Sequence, residues 1–134
     1  MSKELKVFWH HYLTDALPRE QVKILSDKFK MFINTGELVE DFGKDSEYTY
    51  PPSVKMSGLR HIHLRDSTSS KDFNRIKILR YRTSNTALVY CAGYSNPNHY
   101  LLIAVIDGAH ERCREQHTLL LEYASVADKF QNKH

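Results

Sequence analysis

The chain reads as a small α+β domain: an antiparallel β-sheet with an N-terminal helix and a C-terminal helix packed against it. Three observations predict this. Val22, Leu25, Phe29, Phe32 and Ile33 recur at the spacing of one helical face. Cys113, Leu120, Leu121, Ala124, Ala127 and Phe130 repeat that pattern near the C-terminus. Between them lie runs that alternate with a period of two or are nearly all apolar: VKMSGLRHIHL at 54–64, ALVYCAGY at 87–94 and YLLIAVI at 100–106.

The elements follow in order. Residues 6–13 are aromatic and apolar enough for a first strand. Pro18 suits the first turn of a helix, and Gly36 is its natural stop. Residues 37–42 add a short helical turn before Gly43. Residues 43–53, GKDSEYTYPPS, read as a loop, where Pro51-Pro52 excludes helix and starts an extended segment. The strand at 54–64 follows. The polar stretch 66–73, DSTSSKDF, is the candidate mobile loop. Residues 76–82 form a strand with Ile76, Ile78 and Arg80 on one side. Ser95-Asn96-Pro97-Asn98 turns the last two strands into a hairpin, the final strand being central and the helices covering one face.

Composition narrows the function. At 134 residues the chain is one domain, 1–134, with 41% hydrophobic and 26% charged residues, which excludes wholesale disorder. Its apolar runs fall far short of the roughly 20 residues of a membrane span, and its first residues lack a signal-peptide pattern. Two cysteines, Cys91 and Cys113, make no disulfide framework, and Cys91 reads as inert core. The expectation is a reduced, cytoplasmic protein with no membrane partner. Charge is uneven. Residues 55–82 carry eight basic side chains against Asp66 and Asp72, a net of six positive in a chain whose total is +3. A concentration of this kind suits phosphate binding.

The strand at 54–64 places His61 and His63 on one face, roughly 6.5–7 Å apart at the backbone, with Lys55 further back. Imidazole, titrating near about 6.5, is available as both acid and base in the cell. RNA can be cut by its own 2′-hydroxyl when a base takes that proton, an acid protonates the leaving 5′-oxygen and cations stabilise the phosphorane. His61 and His63 are the candidate base and acid. Arg80 and Arg82 join them as candidate catalytic cations. Lys55, Arg60, Arg75 and Lys77 are candidate phosphate binders, with Arg60 at the sheet rim or reaching around it. Tyr90 and Tyr94 are either sheet aromatics or a base-stacking platform. His110 and Arg114, four apart, share a helical face as supporting groups. No metal or other cofactor is required, although an H-x-H pair also occurs as a metal ligand set, with His99 or His110 as further ligands.

The chain resembles the YafO family of bacterial toxins. The motifs that carry the likeness appear in order: F-G-x-D at 42–45, H-I-H-L at 61–64, L-V-Y-C at 88–91, L-L-I-A at 101–104, then His110 and Arg114. The resemblance implies an mRNA interferase of a type II toxin–antitoxin system, acting on translated mRNA at the ribosome and silenced by a cognate antitoxin. It also implies a RelE-like fold and metal-free cleavage by 2′-hydroxyl attack. The alternative is a non-catalytic RNA- or ribosome-binding module that blocks translation by occupancy. A third reading uses the H-x-H pair to hold a metal.

Overall fold

The apolar runs of residues 87–106 form the middle of a five-stranded sheet. The computed structural model describes residues 4–107 and 113–134, with side chains from 117 onward in the second segment. The strands are β1 (Lys6–Trp9), β2 (Phe42–Glu47), β3 (Arg60–Leu64), β4 (Thr86–Ala92) and β5 (His99–Ile106). They lie in the order β1-β5-β4-β3-β2, which puts β4 at the centre and β5 beside it. All pairs are antiparallel except β1 with β5, where Val7 lies opposite Tyr100 in a parallel ladder. The α+β class holds, and one edge of the sheet is parallel because the first strand docks beside the last.

Four helices complete the described fold: α1 (His11–Ala16), α2 (Arg19–Thr35), α3 (Pro52–Met56) and α4 (Cys113–Lys133). Helix α2 ends as its sequence predicts. Gly36 adopts φ +64°, a left-handed C-terminal position, and its N–H donates to the Phe32 carbonyl at 3.1 Å.

The helices cover both faces of the sheet, not one. Ile62, Leu88, Tyr90 and Leu102 pack with Leu13 and with Val22, Phe29 and Phe32 of α2. On the opposite face Val89, Cys91, Leu101 and Ile103 pack with Val54 of α3 and with Leu120, Ala124, Ala127 and Phe130 of α4. The reason lies in β4 and β5. Their side chains are apolar on both sides, so each face needs a cover.

Five local expectations are corrected. The predicted first strand at 6–13 stops at Trp9, because the His10 ring accepts the Tyr12 N–H at 3.2 Å and caps α1, whose Leu13 is fully buried. The predicted loop at 43–53 instead contains β2, and the helical turn expected at 37–42 is absent from that segment. Pro52 begins the short helix α3, so the strand at 54–64 shrinks to Arg60–Leu64 and Lys55 leaves it. Residues 76–82 are no strand: two 3-10 turns, Phe73–Arg75 and Leu79–Tyr81, replace it.

Arg82 explains that last change. Its side chain is 2% exposed and donates to four backbone carbonyls: Ile76 at 2.8 Å, Asn74 at 2.9 Å, and Val39 and Phe42 at 3.0 Å. The guanidinium thus ties the 74–82 segment to the start of β2. Gly43 permits the approach, since an added Cβ there would collide with the Arg82 carbonyl oxygen.

Candidate active site

Alternation along β3 sorts its five side chains between the two faces. His61 and His63 pair with Val89 and Ala87 of β4, on the face that α4 covers. Arg60 and Ile62 point to the α2 face. The two imidazole centroids are 5.6 Å apart. The pair predicted from H-x-H is therefore formed.

Each ring is held by neighbours that come from other strands and loops. The Nε2 atom of His61 lies 3.3 Å from the Ser46 hydroxyl on β2, its register partner. Its ring stacks on Tyr48, with centroids 4.2 Å apart and planes 24° from parallel. The Nδ1 atom of His63 meets the Ser84 peptide, 2.8 Å from its carbonyl oxygen and 3.0 Å from its amide nitrogen. One contact suits a protonated Nδ1 and the other a bare one, so the backbone of this one residue supports either tautomer.

His63 is only 6% exposed. It lines an open cavity of about 330 Å³ with Lys44, Thr68, Thr83, Ser84 and Asn85. The rim is braced by Asp66. Burial pushes its carboxyl up, but hydrogen bonds from Thr68 and Thr86 outweigh that and hold it at about 2, so it is ionised at neutral pH. Thr68 in turn accepts the Asn85 N–H at 3.1 Å. Tyr48 backs His61 outside that cavity; burial pushes its phenol above the usual range.

Several predicted site residues lie elsewhere. Arg82 is committed to backbone carbonyls in the interior and is withdrawn as a catalytic cation. Arg60 is on the wrong face: its Nε donates to the Tyr90 hydroxyl at 3.2 Å and lies 3.5 Å from Asp45. Tyr90, 2% exposed, donates its hydroxyl to Asp45 at 2.8 Å, which closes a structural triad under α2 and rules out a stacking platform there. Tyr94 is exposed beyond the end of β4, seven residues along from the Ala87 that pairs with His63. Lys55 is exposed on α3. Arg75, Lys77 and Arg80 are exposed on the 73–82 segment beside β2, where the Arg80 guanidinium sits 4.8 Å over the Tyr81 ring. His110 and the Arg114 side chain lie outside the described residues.

Lys44, Ser46 and Tyr48 were missed in the sequence. They lie at a period of two, but the segment has no apolar alternation and so carries no strand signal. Ser84, Thr68 and Asn85 carry no sequence signal of their own; turns bring them to the cavity.

An α+β fold with two adjacent imidazoles, one bordering a cavity that includes Lys44, is the class that fold and site define. Residues 30–132 match the model of the YafO toxins of type II toxin–antitoxin systems, and the chain belongs to that family. It is 24% identical over 135 residues to the mRNA interferase toxin YafO of Escherichia coli (strain K12), covering 94% of this chain and 97% of that protein. No solved structure matches the chain significantly. Family membership implies an antitoxin as partner. No helix among the described residues is long and apolar enough to cross a membrane.

Proposed function

We propose that this toxin is an mRNA interferase, an endoribonuclease that cuts translated mRNA at the ribosome in the cytoplasm, with His61 and His63 as its proton-transfer pair. The observation that carries the reading is the adjacency of two imidazoles 5.6 Å apart, one of them bordering a cavity that contains Lys44. One imidazole takes the proton of the ribose 2′-hydroxyl. The 2′-oxygen attacks phosphorus, the bond to the 5′-oxygen breaks, and the other imidazole protonates that oxygen. The products are a 2′,3′-cyclic phosphate and a free 5′-hydroxyl. Lys44 supplies positive charge to the phosphorane. Arg75, Lys77 and Arg80 form the exposed basic approach, in which phosphate contacts give affinity without sequence choice.

Primer extension on messages from cells expressing the protein tests this. New 5′ ends within reading frames are expected with the native chain, and none with His63→Ala or with the double change that adds His61→Ala. Full cleavage by a folded double variant moves the chemistry elsewhere. The burial of His63, at 6% exposed, favours a second reading, in which the basic surface blocks translation by occupancy. Arrest with intact messages decides for it.

A further inference from the structure

A second cavity, of about 510 Å³, lies at the opposite edge of the sheet, where β1 meets the C-terminal half of α4. Its construction follows from the turn at His10. Because β1 ends at Trp9 and α1 begins two residues later, consecutive aromatics round the corner together. The His10, His11 and Tyr12 rings lie 4.2–4.7 Å from one another and form one wall, which Trp9 borders while packing against the α2-face core. Across from them Phe130 and His134 are stacked, with centroids 4.2 Å apart and planes 17° from parallel.

Lys129 and Lys133 also line the cavity, four residues apart and exposed on one helical face. No Asp or Glu side chain lines it among the described residues, Glu122 accepting the Tyr12 hydroxyl from outside. Aromatic faces beside paired ammonium groups are the combination that holds a nucleobase and its phosphate together. An acidic peptide needs only the lysines and leaves the aromatic walls without a role. The cavity lies three strand spacings, about 14 Å, across the sheet from β3 and four residues, about 13 Å, along the strands from the level of His63, so about 20 Å of RNA strand links the two sites.

We propose that this cavity is a second RNA subsite, holding a nucleotide of single-stranded RNA with its base against the aromatic walls and its phosphate on Lys129 and Lys133. The choice of RNA as ligand rests on the cleavage reading above; the shape and charge of the cavity do not.

Trp9, the sole tryptophan of the chain, borders the cavity while its side chain packs against the α2-face core, so its emission reports on occupancy beside it. The full chain is titrated with a short 2′-O-methyl RNA, which lacks the attacking hydroxyl and is not cut. A saturating change in emission is expected, and His63→Ala keeps it. K129E/K133E weakens apparent affinity at least tenfold and reduces the slope of log affinity against log salt by about 0.7, the value for one phosphate neutralised on a single strand. K129Q/K133Q gives a smaller loss of the same sign. Emission unmoved by RNA overturns the proposal. So does a response that survives K129E/K133E unchanged, or an equal response to polyglutamate, which assigns the surface to an acidic protein segment. If the native chain arrests translation with messages intact while the Trp9 response persists, the cleavage reading falls and the subsite stands.

Discussion

His63 is positioned by the backbone of Ser84, not by its side chain: Nδ1 lies 2.8 Å from the Ser84 carbonyl oxygen and 3.0 Å from its amide nitrogen. The Ser84 hydroxyl is occupied separately, donating to the Thr86 carbonyl at 2.8 Å. Ser84→Ala therefore keeps the support of the imidazole. The expected outcome is a stability loss of about 1 kcal/mol from the missing hydrogen bond, read by urea unfolding. Single-turnover cleavage should fall less than tenfold. His63→Ala should lose roughly a hundredfold or more, the usual contribution of a proton-transfer group.

Arg82 is an architectural residue. Arg82→Ala leaves four carbonyls, from residues 39, 42, 74 and 76, without their shared donor. A loss of about 3–5 kcal/mol is expected, the scale for disrupting a buried charged network. Arg82→Lys recovers little of it, since an ammonium cannot reproduce the fork of a guanidinium. Denaturant midpoints measure both. A fully stable but inactive Arg82→Ala protein would return this residue to the catalytic list.

Acid should loosen the rim of the His63 cavity through Asp66. The folded carboxyl titrates at about 2, below its ordinary range near about 3.9. A depressed folded value means the unfolded chain binds the proton more readily. Asp66 therefore stabilises the fold above about pH 4, and this contribution is lost as pH falls from about 4 toward about 2. Thermal melts between those limits should decline more steeply for the native chain than for Asp66→Asn. Parallel curves would contradict the assignment.

Tyr48 separates stacking from hydrogen bonding at His61. Its hydroxyl is buried with no hydrogen-bond partner, while its ring lies 4.2 Å from the imidazole. Tyr48→Phe keeps the stack and removes a polar atom in an apolar setting, so stability should be unchanged or rise by up to about 1 kcal/mol. Tyr48→Ala should destabilise by about 3 kcal/mol and release the His61 ring. If Tyr48→Phe abolishes cleavage in a well-folded protein, the hydroxyl acts in the reaction.

Much of the frame was legible in local pattern. The periodicity of Val22, Leu25, Phe29 and Phe32 marked α2, Gly36 marked its end, and the apolar runs marked β4 and β5. The H-x-H alternation put His61 and His63 on one face. The same rule put Arg60 on the other, where the expectation was the sheet rim or a reach around it. Strand β2 was not legible, because FGKDSE carries no apolar alternation and is extended through its pairing with β3.

By itself the sequence determined which segments are amphipathic and that two imidazoles lie side by side, since both depend on residues a few positions apart. The tertiary structure alone decided that Lys44 and Ser84 surround His63 and that Arg82 turns inward. Those outcomes depend on hydrogen-bond partners up to 43 residues away in the chain, as between Arg82 and Val39. A local repeat constrains a residue's nearest neighbours along one helix or strand; it carries no information about which distant carbonyl will need a donor.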